Sequence, residues 1–124
     1  MKILIVEDDS TLLSFLAREL QSRGYEVLPT HYGDGGLDLY KRCGPFEFVL
    51  SDLRFVPGSM IKDGVQLVTA IHAINPVQRM AIMTAWCDEA REKLPQALRH
   101  LPVLRKPFKL EQVLRLLREP VLPF

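Results

Sequence analysis

The 124-residue sequence predicts an α/β fold: a doubly wound, five-stranded parallel sheet in the order 2-1-3-4-5, flanked by five helices. Three observations carry that prediction. Short apolar runs rich in β-branched residues recur along the chain, and segments with helical spacing separate them in strict alternation. The runs are apolar on both faces, as strands must be when helices cover both sides of a parallel sheet. Acids end the first and third runs, the two strands that flank the switch point of such a sheet, and the connections between strands are expected to be right-handed crossovers.

Each element has its own signal. The run Ile3-Leu4-Ile5-Val6 is the first strand, followed by a helix with Leu12, Leu13, Leu16 and Leu20 on one face and Gly24 closing it after Arg23. The second strand is read at residues 25–28, and the glycine-rich stretch 33–36 opens a helix that carries Leu37 and Tyr40 and stops at Gly44-Pro45. Residues 46–50 form the third strand, and Leu67, Val68, Ile71 and Ile74 mark a third helix ended by Asn75-Pro76. The fourth strand is 80–83. In the fourth helical stripe, Ala90, Leu94, Ala97, Leu98 and Leu101, Pro95 has no N–H to give the ladder, so a kink or a restart is expected there. The fifth strand, 102–104, precedes a last helix carrying Leu110, Val113, Leu114 and Leu117. Residues 119–124 are too few for a second domain, so 1–124 is expected to be a single domain, of a size that buries about two thirds of the surface its unfolded chain exposes.

Composition narrows the class. Hydrophobic residues make up 48% and charged residues 25%, with a formal net charge of +1, which describes a soluble globular protein. That balance gives no reason to expect direct nucleic-acid binding, and no stretch reads as a membrane span or a signal peptide. Cys43 and Cys87 lie far apart without Cys or His partners at zinc spacing; they read as reduced buried thiols, which suits a cytoplasmic location. His31, His72 and His100 are scattered and read as structural or surface residues.

Ligand sites in open parallel sheets lie at the carboxyl ends of the strands, and here those ends are polar. The first run ends in Glu7-Asp8-Asp9, the third in Ser51-Asp52, the fourth in Thr84-Ala85 and the fifth in Arg105-Lys106-Pro107. Carboxylates gathered at one edge repel unless a cation lies between them, and hard oxygen ligands of this kind suit Mg²⁺. Lys106 adds a positive charge; with the Thr84 hydroxyl it can cradle the equatorial oxygens of a transferring phosphoryl group, leaving a carboxylate as the nucleophile. Taken singly, each signal has a plainer explanation: acids ahead of a helix are more often caps, as Asp9 with Ser10 is expected to be, and a lone Thr or Lys-Pro is usually a turn.

Taken together, from Lys2 to about Leu117, the sequence resembles the response-regulator receiver family: an acid pair at Glu7 and Asp8, an acceptor at Asp52, a switch hydroxyl at Thr84, and a lysine followed by proline at Lys106-Pro107. The resemblance implies that Asp52 takes a phosphoryl group from a phosphohistidine on a sensor histidine kinase or phosphotransfer protein. It implies Mg²⁺ held by Asp8, Asp52 and the backbone carbonyl of Arg54, with Glu7 acting through water, and a cis peptide before Pro107. The expected role is a phosphorylation-dependent switch with Mg²⁺-dependent autophosphorylation and autodephosphorylation, not an enzyme acting on a separate substrate. A downstream protein or output domain would read it, and a second copy of the chain is left open as a further partner.

Two features depart from the family pattern. About four extra residues fall in the segment 54–62 before Asp63-Gly64, and Phe55, Val56, Met60 and Ile61 make it partly apolar, so it either recognises a partner or folds over its own third helix. Val103 stands where family members usually carry Tyr or Phe, three residues before the lysine, and Trp86 is the nearest aromatic in sequence to Thr84. Two competing functions are weaker. A haloacid-dehalogenase-type phosphatase needs a second aspartate two residues after the nucleophile, where this chain has Arg54; a docking module that has lost phosphorylation does not need the intact Asp52, Thr84 and Lys106.

Overall fold

The computed structural model describes residues 1–55 and 60–119. Its elements run β1 (Lys2–Val6), α1 (Ser10–Gln21), β2 (Glu26–Thr30), α2 (Gly33–Cys43), β3 (Phe48–Asp52), α3 (Gly64–Ile74), β4 (Met80–Thr84), α4 (Cys87–Lys93), a 3₁₀ turn (Gln96–Leu98), β5 (Val103–Arg105) and α5 (Leu110–Arg118). All strand pairings in the sheet are parallel, in the order β2-β1-β3-β4-β5, as the alternation predicts.

Successive side chains of a strand point to opposite faces, so each apolar run feeds two cores. On one face Leu4, Val6, Val49, Met80 and Ile82 meet Tyr40 of α2, Leu67, Val68 and Ile71 of α3, and Ala90 of α4. On the other, Ile3, Ile5, Phe48, Leu50, Ala81 and Met83 meet Leu13, Leu16 and Leu20 of α1 and Val113 and Leu117 of α5. Burial of each such aliphatic side chain contributes about 1.5–3 kcal/mol, and this two-sided demand is why the strands show no polar alternation.

Several boundaries differ from expectation, each for a physical reason. β2 runs through Pro29, which pairs opposite Ile5; β2 is an edge strand, where a missing N–H is tolerated. β3 starts two residues later than the apolar run, because Phe46 is buried ahead of the strand and stacks on Tyr40 with ring centroids 5.8 Å apart. α4 stops at Lys93 ahead of Pro95, and the chain restarts as the 3₁₀ turn that buries Leu98. Gly24 does close the first helix and has φ +90°, a conformation that glycine adopts without strain. Both cysteines are free; Cys87 is buried, whereas Cys43 is only half-buried. Ile74, read as part of the apolar stripe of α3, is exposed.

In the segment after β3, the described residues on either side of 56–59 pack on their own domain. Phe55 is buried and Ile61 lies against the same core; a side chain on Gly33 at the start of α2 would collide with both. The Asp34 carboxylate accepts from the N–H groups of Met60 and Ile61 at 3.0 and 2.7 Å, and the Gln66 side chain of α3 accepts from the N–H of Lys62 at 2.8 Å. Of the apolar residues in that segment, Met60 is exposed, and Val56 lies outside the described residues.

Candidate functional site

Main-chain pairing brings the strand ends together. Ser51 at the end of β3 pairs with Val6, so Glu7 and Asp8 emerge beside Asp52, and Asp52 itself pairs with Met83. The N–H of Lys106 donates to the Thr84 carbonyl at 2.9 Å, which sets the lysine next to the end of β4. Asp9 is used differently: its carboxylate caps α1 by accepting from the N–H groups of Thr11 and Leu12, as expected for an acid ahead of a helix. That leaves Glu7 and Asp8 facing the site.

Glu7, Asp8 and Asp52 each offer a carboxylate oxygen, and these oxygens lie within 4.8 Å of one another. Glu7 is fully buried and Asp52 is 7% exposed. The Lys106 ammonium reaches Glu7 Oε1 at 2.5 Å and Asp52 Oδ1 at 3.2 Å, and the peptide before Pro107 is cis, as the family resemblance implied. The N–H of Leu53 donates to Asp52 Oδ1 at 2.9 Å, and the N–H of Asp9 to Glu7 Oε2 at 3.1 Å. Thr84 is buried, and its Oγ1 accepts from the N–H of Trp86 at 2.9 Å.

Burial, followed by hydrogen bonding and charge repulsion from Glu7 and then the nearby Asp8, pushes the Asp52 carboxyl up to about 8 against the opposing pull of Lys106. Burial draws the Lys106 ammonium down, but its hydrogen bond to Glu7 and the charges of Asp52 and Glu7 outweigh that and hold it above the ordinary lysine range. One ammonium against three clustered carboxyl groups leaves excess negative charge that a hard divalent cation relieves. The oxygen-only donor set fits Mg²⁺.

Of the residues singled out from sequence, Glu7, Asp8, Asp52, Thr84 and Lys106 thus converge at one end of the sheet. The Arg54 side chain leads elsewhere. Its guanidinium stacks over the Trp86 ring, 3.6 Å from the centroid, and its Nε and Nη2 donate to Glu89 Oε2 at 3.2 and 2.9 Å; its main chain forms an isolated antiparallel bridge with Asp63. Trp86 is half-exposed and Val103 half-buried. His31, read as a structural or surface residue, is half-buried with Nδ1 3.2 Å from the Glu7 carbonyl oxygen, while His72 is half-buried and His100 exposed.

Gly64 is a site residue that sequence reasoning passed over. A Cβ there would fall inside contact distance of the Asp52 carbonyl oxygen, and its N–H donates to the Leu53 carbonyl at 2.7 Å, so the start of α3 supports the backbone that carries Asp52. The available signal was Asp63-Gly64, a cap and a glycine at the first turn of a helix; Asp63 does cap α3 through the N–H of Gln66.

Among the described residues no helix is long and apolar enough to cross a membrane. The receiver protein CpdR of Brucella abortus is 33% identical over 114 residues, covering 90% of this chain and 89% of that protein. The acid tolerance regulatory protein ActR of Rhizobium meliloti is 30% identical over 90% of this chain, which spans 55% of ActR. Among solved structures, the receiver domain of the hybrid histidine kinase CckA is 25% identical with a TM-score of 0.73, covering 95% of this chain and all of that domain. Vibrio cholerae CheY4, 23% identical with a TM-score of 0.79 over 94% of this chain and 95% of that one, shares the fold. With residues 3–118 matched by the family model for the response regulator receiver domain, the chain belongs to that family of phosphorylation-dependent switches in two-component signalling.

Proposed function

We propose that Asp52 is the phosphoacceptor of this receiver domain, taking its phosphoryl group from a phosphohistidine of a sensor histidine kinase or phosphotransfer protein. The observation that carries this is the position of the Asp52 carboxylate: nearly buried at the end of β3, grouped with Glu7 and Asp8, and 3.2 Å from the Lys106 ammonium. Asp8, Asp52 and the backbone carbonyl of Arg54 would hold Mg²⁺, with Glu7 acting through water, and the ion would neutralise the carboxylates and draw charge from the phosphoryl oxygens.

The chain's own groups do the rest. An Asp52 oxygen attacks phosphorus, the new O–P bond forms as the P–N bond breaks, and the departing imidazole nitrogen keeps the electron pair and takes a proton from solvent. Lys106 supplies fixed positive charge against the oxygens of the transferring group. The Thr84 oxygen accepts from Trp86, so its hydroxyl proton is available to a phosphoryl oxygen. Small phosphodonors can replace the phosphohistidine in this scheme, and water can later hydrolyse the acyl phosphate. A cytoplasmic location goes with such a donor and with two free thiols.

The test is intact-mass measurement after incubation with acetyl phosphate and Mg²⁺. One added phosphoryl group is expected, lost with EDTA and absent in Asp52→Asn, whose amide has no nucleophilic charge; beryllofluoride should bind the unlabelled protein. If neither labelling nor beryllofluoride binding occurs, a docking module without phosphorylation becomes the better description.

A further inference from the structure

The loops that follow β3 and β4 are tied together beside the phosphoacceptor by a contact that uses three side chains. Arg54, two residues after Asp52, lays its guanidinium 3.6 Å from the centroid of the Trp86 ring. The same guanidinium makes two hydrogen bonds to Glu89 in the first turn of α4, and that pairing draws the Glu89 carboxyl below its usual range. Trp86 is also the residue whose N–H is satisfied by Thr84 Oγ1, at 2.9 Å. Thr84 is therefore hydrogen-bonded to a residue clamped from the Asp52 side of the site. Val103, where family members usually carry Tyr or Phe, is a small aliphatic packed against the core.

We propose that Arg54, Trp86 and Glu89 form a latch that holds the unphosphorylated conformation and opens when Thr84 turns its hydroxyl toward the phosphoryl group, so that α4 carries the readout. The proposal rests on Asp52 being the phosphoacceptor. When Thr84 Oγ1 leaves the N–H of Trp86, a half-buried donor loses its acceptor, and the main chain at Trp86 must move to find another. The ring then slides from under Arg54. A guanidinium stacked on a ring and bonded to a carboxylate is a planar arrangement that lysine cannot reproduce, so the latch depends on arginine at this position. Glu89 also has Lys93 at 3.5 Å, which takes over the carboxylate once Arg54 is released. Arg54 and Glu89 act as positioning residues, through Trp86 and Thr84.

Trp86 is the one tryptophan in the sequence, so its emission reports the latch directly. Beryllofluoride with Mg²⁺ is titrated into the protein while ¹⁹F NMR records occupancy and fluorescence records Trp86. The expected result is an emission change that follows occupancy in the unaltered protein. In Arg54→Ala, the emission without beryllofluoride should already lie near the liganded value, the further change should be small, and beryllofluoride should bind about three- to five-fold more tightly, the scale of one exposed cation–π contact. Glu89→Gln should move both readings the same way but less, and Arg54→Lys should resemble Arg54→Ala more than the unaltered protein. Full occupancy with unchanged emission, or an Arg54→Ala protein with the original affinity and emission change, would overturn the latch while leaving the phosphoacceptor assignment intact. Absence of beryllofluoride from the unaltered protein would remove the phosphoacceptor assignment, and the latch with it.

Discussion

Lys106 Nζ lies 2.5 Å from Oε1 of Glu7, closer than its 3.2 Å approach to Asp52. Glu7 is fully buried, and an ionised carboxylate removed from water needs a counter-charge or a hydrogen-bond donor on each oxygen. Lys106 serves Oε1 and the N–H of Asp9 serves Oε2, so the lysine already offsets the Glu7 charge before any phosphoryl group arrives.

Lys106→Met should therefore affect folding as well as phosphorylation. The buried Glu7 loses its charged partner, and the expected cost is about 2 kcal/mol, discounted from the full penalty for breaking a buried pair because Lys106 is 24% exposed. Labelling by acetyl phosphate should fall at least ten-fold, since removing one electrostatic stabiliser of a transition state costs on the order of 10²-fold or more in rate. Chemical denaturation and timed intact-mass measurements check the two effects separately.

The raised Asp52 carboxyl gives a pH dependence with a definite sign. Its folded value, about 8, lies above the ordinary value of 3.8, so its favourable contribution is complete below about pH 4 and is lost as pH rises through 8. In EDTA, Asp52→Asn should accordingly be the more stable protein at pH 8, and its advantage should shrink toward pH 5. Mg²⁺ held at Asp52 as proposed would displace its proton, so its apparent affinity should rise up to about ten-fold per pH unit between pH 6 and 8 and level off above. Thermal melts with and without Mg²⁺ across that range test both statements.

Gly64→Ala should disturb the site without touching a charged group. The added methyl would overlap the Asp52 carbonyl oxygen, and main chain yields less readily than a flexible side chain. A loss of about 3 kcal/mol is expected, at the upper end for overpacking, together with slower phosphorylation because the strand end that aims Asp52 must shift. Thermal unfolding and labelling rate are the measurements.

Asp34→Ala should release the segment that follows β3 while sparing the chemistry. The N–H groups of Met60 and Ile61 lose the carboxylate that accepts them, at a cost of about 1–2 kcal/mol. Hydrogen exchange at those two amides should accelerate, with phosphoryl labelling unchanged. Slower labelling in this variant would mean that the segment also supports the acceptor.

Strand and helix alternation was legible in the sequence because both periodicities are local: two-sided apolar runs and three-to-four spacing need no knowledge of partners. The acids after β1, Asp52, Thr84 and Lys106 were legible for the same reason, since each lies within two positions of the end of an apolar run and topology puts run ends together. Boundaries were less so. Phe46 is apolar whether it sits in a strand or stacks on Tyr40 ahead of one, and Pro29 looks like a terminator unless its strand is known to be an edge. The packing of Phe55 and Ile61 was not legible, because the contacts that hold them come from Asp34 and Gly33, more than twenty positions upstream.

By itself, then, the sequence determined the layered sheet, its order and the identity of the acidic, hydroxyl and lysine groups at one edge, because those follow from patterns within single segments. Only the tertiary structure decided that Lys106 favours Glu7, that Gly64 abuts the Asp52 main chain and that Arg54 stacks on Trp86. Each of these is a choice among partners of similar chemistry, and distance after folding makes that choice.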